Sequence, residues 1–508
     1  MRPECMPGRI QDFRPEMFTF QVKSLNMPKS VLLIMILLLG GVAPAQDRHY
    51  WSQMGGITAG LLGGAGVAGL RDNSSMYYNP AAMSYVNNPS ISLGANTYRL
   101  RMVNIDNAFG DNLDKTNTGF VINPDLIGGL LFSKKDDRIR FGYFVATRFL
   151  FNTAYSQQAN FINSQNETLI ASFDLNNQIQ ETWVGAANSF KVNEHFAYGY
   201  SLILAVRTQN YFNYIGSRLV PATSPADVSR FDSNITYNYW NAKGLLRLSM
   251  ALDYSRFRFG WTLTLPSLNL LGQANIKREF SLVNNPNPAN SLPKDILLTG
   301  ADYQVRTLHK YPLSSALGAS FRFRNRDWLH LTAEFFLPVK KYQIFSSELA
   351  PIAYPQAAVD SILNNYFPGI RFLELPEEAG FVVNFAAGYE SYLTDNWGLL
   401  AGFRTDFNFN NTPSFELGEL RPYYTQWDIY YLSFGAWGIF KNKKITAGLE
   451  VGLTPATRMR QLINFDNPDS PDYPLLGTPN NSAVARQLLL RLFLGIEIDF
   501  PDDQQAGD

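Results

Sequence analysis

The sequence predicts an all-β chain, a transmembrane antiparallel barrel of about 14 strands, and three observations predict it. Of the 508 residues, 14% are aromatic, with 26 Tyr and 37 Phe, and only 17% are charged. After the first forty-odd residues no apolar run approaches the 18 or so residues that a membrane helix needs. Long segments instead alternate apolar and polar side chains at period two, as a wall between lipid and lumen requires.

The chain opens on a leader. Met27-Pro28-Lys29 precedes an apolar core at 31–39, and Ala43-Pro44-Ala45 supplies small residues for cleavage, the pattern of an export signal. Residues 1–26 carry Glu4, Asp12 and Glu16, so Met27 is the expected start and Gln46 the first mature residue. The single cysteine, Cys5, falls in the leader, which leaves no disulfide framework. With 43 basic and 43 acidic residues, the charge balance carries no nucleic-acid footprint.

The strand signal is clearest near the C-terminus. Leu488, Leu490, Leu492, Leu494, Ile496, Ile498 and Phe500 form one apolar face, with Arg491, Glu497 and Asp499 on the other. Ile445, Ala447, Leu449, Val451 and Leu453 alternate in the same way, as do Leu246, Leu248, Met250 and Leu252. No amphipathic helix stands out that could cover such faces in water. Strands are expected at 89–102, 126–133, 138–152, 180–191, 194–208, 243–254, 256–276, 312–324, 327–340, 381–392, 396–409, 427–440, 443–454 and 486–500. Short turns near 134–137, 192–193, 255, 325–326, 394–395 and 442 alternate with long connections at 103–125, 153–179, 209–242, 277–311, 341–380, 410–426 and 455–485. That rhythm suits a closed barrel with periplasmic turns and outer loops. Residues 501–508 read as a disordered tail.

Between leader and barrel lies GGAGVAGLRDNSSMYYNPAAM at 63–83, with four glycines in its first seven residues and Asn79-Pro80-Ala81 near its end. A Gly-rich run ending in Asn-Pro-Ala just ahead of a barrel resembles the N-terminal hatch of the FadL/TodX outer-membrane transporters. Further resemblances are Gly260-Trp-Thr-Leu-Thr-Leu-Pro-Ser-Leu-Asn-Leu-Leu-Gly272, Tyr311-Pro312 with Leu317-Gly318-Ala319, Leu331-Thr-Ala-Glu334, Ala387-Gly388-Tyr389 and Leu400-Ala-Gly-Phe403-Arg404. The family also shares the count of fourteen.

The resemblance implies a hatch at 46–88 inside a barrel at 89–500, anchored by Asn79, Pro80 and Ala81, with Gly64, Gly66 and Gly69 allowing it to move. It implies passive, non-enzymatic uptake of hydrophobic molecules across the outer membrane, long-chain fatty acids first and aromatic hydrocarbons next, with sideways release into membrane lipid. By order alone the bent strand would be the third, around Phe141-Gly142-Tyr143. Some barrels of this family instead dock protein partners in secretion, and that is the alternative function. Candidates to meet a ligand carboxylate are Arg207, Arg247, Arg258, Arg404 and Arg491 on the inner face; the alternative is that they pair with Asp253, Asp406, Glu450, Glu497 and Asp499.

Other motifs carry less. Gly64-Ala-Gly66-Val-Ala-Gly69 is a literal G-x-G-x-x-G but lacks the strand, helix and acid of a dinucleotide site. His49, His195, His309 and His330 have no metal spacing and are expected in loops or at strand ends. Asp466, Asp469 and Asp472 read as a solvated loop. No Ser and His are expected together on one strand face, which argues against a hydrolase. No cofactor and no metal are assigned.

Overall fold

The computed structural model describes residues 49–500, apart from 133–135, 137, 163–165, 223–226, 286–292, 324–325, 370, 410–419, 424, 426 and 467–474. The leader, its cleavage site and the tail therefore lie outside the described residues, as do parts of two turns and most of the Asp466–Asp472 loop.

The strands are β1 (Ser90–Asp106), β2 (Lys115–Phe132), β3 (Ile139–Ile162), β4 (Thr168–Lys191), β5 (Phe196–Val220), β6 (Ser229–Asp253) and β7 (Phe257–Thr264). Then come β8 (Leu268–Val283), β9 (Ile296–Arg306), β10 (Ser314–Phe323), β11 (Asp327–Phe336), β12 (Val339–Ser346), β13 (Ile352–Tyr354) and β14 (Glu374–Ala379). Last are β15 (Val382–Tyr392), β16 (Trp397–Asp406), β17 (Ile429–Phe440), β18 (Lys443–Met459) and β19 (Ala483–Asp499). At one level a closed antiparallel ring of 14 runs from β1 through β7, then β10, β11 and β15 to β19. It closes where β19 pairs with β1, from Ser90↔Asp499 to Asp106↔Val484.

Each expected strand has one counterpart in this ring. The expected seventh strand is interrupted, however: Pro266 lacks the N–H a ladder needs, and β7 stops before it while β8 resumes after it.

Side-chain polarity fixes the level of the membrane. On the ring's outer face Leu202, Leu204, Leu248, Met250, Leu399, Leu432, Phe434, Leu449, Leu453, Leu492 and Leu494 are exposed, a lipid-facing band. Higher up, the sense inverts. On β4, Phe173 and Leu175 turn inward while Asn176, Gln178 and Gln180 turn outward; on β6, Phe231, Ile235 and Tyr237 are inside and Asn234, Thr236 and Asn238 outside.

This inversion corrects the expectation of long loops at 103–125, 153–179, 209–242 and 277–311. There the strands continue: β3 to β6 run 24 or 25 residues each, or roughly 80 Å at about 3.3 Å per residue. Their upper halves enclose an apolar core reached also by Ile344, Phe345, Ile362, Phe367 and Phe372. Ile362 belongs to a short amphipathic helix, Val359–Tyr366, in the segment that caps this core.

Candidate functional site

Residues ahead of β1 fill the ring. Short helices at Ile57–Leu61 and Ser75–Tyr78 and a 3₁₀ turn at Pro80–Tyr85 are almost wholly buried. The third begins as sequence rules prescribe, with Asn79 as N-cap and Pro80 in the first turn. Asn79 Oδ1 accepts from the Ala81 N–H at 3.1 Å, and its Nδ2 donates to the carbonyls of Val67 (2.8 Å) and Met250 (3.1 Å). Met250 belongs to β6, so one side chain ties two hatch segments to the wall. Ala81 N–H also donates to Ser249 Oγ at 2.9 Å.

The hatch glycines pack closely. A Cβ on Gly69 would stand 2.0 Å from His330 Nδ1, and one on Gly66 2.5 Å from Leu70 Cδ1. Gly64 takes φ +84°, a left-handed conformation that favours glycine. The wall answers with glycines of its own. A Cβ on Gly260 would lie 2.1 Å from the Val67 carbonyl oxygen, on Gly199 2.6 Å from Ala81 N, and on Gly402 2.2 Å from Gly63 N. Sequence reasoning assigned these wall glycines no role.

The first hatch residues are pinned by polar groups of the wall. Trp51 Nε1 donates to Glu334 at 2.7 Å, and the Trp51 N–H to Asp406 at 2.9 Å. Tyr50 stacks between Phe336 and Phe409, at 3.9 and 4.2 Å between ring centres. Arg71 and Arg258 converge on Asp253, at 2.6 and 3.3 Å. Burial, with Arg258 nearby, pulls the Arg71 guanidinium down to about 10 against the attraction of Asp253.

One stretch of the wall is open. β2 and β3 pair only from Phe132↔Arg140 to Leu126↔Ala146; above that, β2 follows β1 and β3 follows β4. The third strand is irregular at Thr147–Phe149, not around Phe141-Gly142-Tyr143, and β1 also shifts register against both its neighbours between Leu93 and Arg99. Thr147 pairs with Thr182 and Phe149 with Glu181, leaving Arg148 as the extra residue of a bulge that exchanges which side chains face inward. Below it Gly142, Phe144 and Ala146 face in; above it Phe149, Phe151, Thr153 and Tyr155 do. Side chains span the break. Thr147 Oγ1 donates to the Pro124 carbonyl and Arg99 to that of Leu150, both at 3.0 Å, and Asn117 reaches the Ala154 carbonyl.

Behind the break lies a cavity of about 70 Å³, bounded by His49 and Tyr50 of the hatch, Arg148 and Phe149 of β3, Glu181, Arg207, His309–Pro312 and the β12–β14 pair. Its charges are linked. Lys243 Nζ, wholly buried, donates to Glu181 at 2.9 Å and lies 2.8 Å from His309 Nδ1; Arg207 meets Glu181 at 3.4 Å. Arg148 reaches Tyr311 Oη and the Gln53 carbonyl, each at 3.4 Å. Aromatic faces and cations therefore share one chamber.

Of the candidate arginines, Arg207 alone borders this cavity. Arg404 and Arg491 both hold Glu450, at 3.1 and 2.7 Å, and all three side chains are wholly buried. Arg258 takes Asp253, and Arg247 bonds Thr264 Oγ1 at 3.1 Å and the Tyr77 carbonyl. Arg148, Glu181 and Lys243 escaped the sequence reading, which expected His309 in a loop, as it is, but gave it no part in a chamber. Nothing local marks an inward charge in one strand as the neighbour of an inward charge in another.

A second correction concerns Ser320 and His330. They face each other across β10 and β11, with Oγ 2.8 Å from Nδ1, so a Ser and a His do share an inner face, and His330 is mid-strand. The register could have been read from the turn near 325–326. Glu390 lies 3.7 Å from the ring. Ser320 is 0% exposed and Gly69 of the hatch packs against it, so the hydroxyl is shielded while the hatch is in place.

No protein-family model and no curated protein sequence matches the chain. Solved structures do. A FadL homologue from Pseudomonas aeruginosa aligns over 90% of this chain and 100% of its own, with TM-score 0.57 and 14% identity. The toluene transporter TodX of Pseudomonas putida aligns over 89% and 100%, with TM-score 0.57 and 12% identity, and the toluene transporter TbuX of Ralstonia pickettii over 89% and 100%, at 0.52 and 14%. The chain carries the fold of these barrels.

Proposed function

We propose that this chain is an outer-membrane channel for hydrophobic molecules, with long-chain fatty acids as its foremost substrate and lateral release into the membrane as its exit. The observation that carries the reading is the break between β2 and β3, because the Phe149 ring lines the cavity and belongs to the strand that borders the break. A hydrocarbon gains about 0.8 kcal/mol per methylene buried, so the aromatic rings of the chamber can take an acyl chain once the hatch rearranges, and the bilayer can accept it without an aqueous step. Arg148 and Arg207, which line the same chamber, suit an anionic head. The solved toluene transporters of this fold make neutral aromatic compounds the competing substrate class.

The test is a crosslink across the break. Asn117→Cys with Ala154→Cys joins β2 to β3 where their groups already touch. The oxidised protein should bind oleate as wild type does, yet cells carrying it should lose uptake of labelled oleate, and reduction should restore it. Uptake unaffected by the crosslink would overturn lateral release. Absence of saturable oleate binding in the purified wild type, with toluene bound instead, would overturn the substrate.

A further inference from the structure

Above the lipid-facing band, the outer face of β3, β4, β5, β6 and β8 carries amides in register. Asn152, Gln178, Asn210, Asn238 and Asn275 stand side by side in one row across these five strands. At about 4.8 Å between strands the row spans roughly 19 Å. The row below it is Leu150, Gln180, Thr208, Trp240 and Gln273; the row above is Ala154, Asn176, Phe212, Thr236 and Lys277. Of these 15 positions only Lys277 is charged, and it meets Glu279 at 3.0 Å. Trp240 and Phe212 stand 40% and 39% exposed beside the row, and Tyr303 lies 67% exposed near its end, where the Gln304 N–H donates to Asn275 Oδ1.

Position and chemistry together name an occupant. Leu271, four residues below the row on β8, is 66% exposed, and Val184 and Leu204 face lipid six residues down β4 and β5, so the amide row stands above the lipid-facing band, within reach of sugars that project from the outer leaflet. A phosphate or carboxylate headgroup calls for Lys or Arg, and these rows offer one lysine, already paired. An amide both donates and accepts hydrogen bonds, as a sugar hydroxyl does, and exposed aromatic rings offer apolar faces to pyranose C–H groups. We infer that this face is a binding site for the neutral, hydroxyl-rich sugar headgroup of an outer-leaflet glycolipid. Asn275 Nδ2 donates to Asn238 Oδ1 at 3.1 Å, so one end of the row is already ordered. The inference rests on the apolar band being the membrane band and is independent of what the lumen carries.

The full chain is reconstituted in phosphatidylcholine nanodiscs containing either digalactosyldiacylglycerol or phosphatidylglycerol, and retained lipid is counted by native mass spectrometry. Digalactosyldiacylglycerol should be held in preference to phosphatidylglycerol, and Asn210→Ala with Asn238→Ala should lower its retention about fivefold, the loss of roughly 1 kcal/mol of hydrogen bonding. Should that pair fail the heat-modifiable migration of a folded barrel, Gln178→Ala and Trp240→Ala serve the same comparison. Equal retention by wild type and a folded variant, or preference for phosphatidylglycerol, overturns the site and leaves the row as a solvated ladder.

Discussion

Asp125 and Arg148 stand on opposite sides of the foot of the wall break, and each holds the same loop of the hatch. Asp125 accepts the Gly56 N–H at 2.9 Å, while Arg148 donates to the Gln53 carbonyl at 3.4 Å. Asp125 comes from β2 just above where pairing with β3 ceases, and Arg148 is the extra residue of the β3 bulge. Hatch position and the edges of the break are thus set by the same contacts.

Arg148→Ala should therefore loosen both. It removes the link to Gln53 and Tyr311 and the cation over the Trp183 ring at 5.3 Å, a loss of about 1–3 kcal/mol for hydrogen bonds to a charged group. Planar-bilayer recordings should show larger or noisier conductance than wild type, while the heat-modifiable gel shift of the barrel stays. An unchanged trace would mean that the hatch loop is held elsewhere.

The wall glycines give a sharper contrast. Gly260→Ala puts a methyl 2.1 Å from the Val67 oxygen and 2.7 Å from Asn79 Nδ2, whereas a Cβ on Gly119 meets nothing within 4 Å. The backbone at Val67 cannot yield without moving the hatch, so Gly260→Ala should expose the hatch to added protease. Gly119→Ala should behave as wild type or gain a few tenths of a kcal/mol from a stiffer unfolded chain. Equal proteolysis of the two variants would show that the hatch does not need this close approach.

Much of this architecture is legible in the sequence because lipid imposes period two. Leu488 through Phe500 alternates for that reason, and its face and strand are where the alternation places them. The upper halves of β3 to β6 alternate as well, but Phe231, Ile235 and Tyr237 turn inward there and Asn234, Thr236 and Asn238 outward. Once water replaces lipid outside, polar residues face out, and an Asn-rich stretch reads as loop. The chamber was illegible for another reason. Lys243 and Glu181 are 62 positions apart, and their meeting depends on the registers of β4, β5 and β6 together. Asn79-Pro80-Ala81 was singled out through resemblance alone, and capping supplies a physical role for Asn79 and Pro80.

Glu450 is the most demanding residue of the lumen. It lies wholly buried between Arg404 and Arg491, and Arg491 also donates to the Ser52 carbonyl of the hatch at 2.9 Å. Glu450→Gln leaves two buried guanidinium groups facing a neutral amide. Removing one member of a buried pair costs about 3–5 kcal/mol, so the midpoint of urea unfolding in detergent should fall clearly. Bulk salt should barely alter the wild-type midpoint, because a dry ion pair is poorly screened. A midpoint insensitive to Glu450→Gln would place the stability of the barrel wholly in its backbone ladder.

Asn79→Ala tests the anchor itself. The side chain is 0% exposed and makes contacts with Val67, Ala81 and Met250. Truncation takes the side-chain donor from the Val67 and Met250 carbonyls, at about 1–3 kcal/mol each where burial keeps water away, while the Ala81 N–H keeps Ser249 Oγ. The barrel ladder contains none of these bonds beyond the Met250 carbonyl, so the penalty should fall on the hatch and leave the heat-modifiable shift intact. Water can recover part of the loss only if the hatch moves, and single-channel conductance should then rise. Asn79→Asp keeps the acceptor for the Ala81 N–H but sets a buried carboxylate against the Val67 and Met250 carbonyl oxygens, so it should disturb the hatch at least as much as Asn79→Ala. Conductance indistinguishable from wild type in both variants would remove Asn79 as the tie between hatch and wall and shift that role to Ser249 and the close-packed glycines.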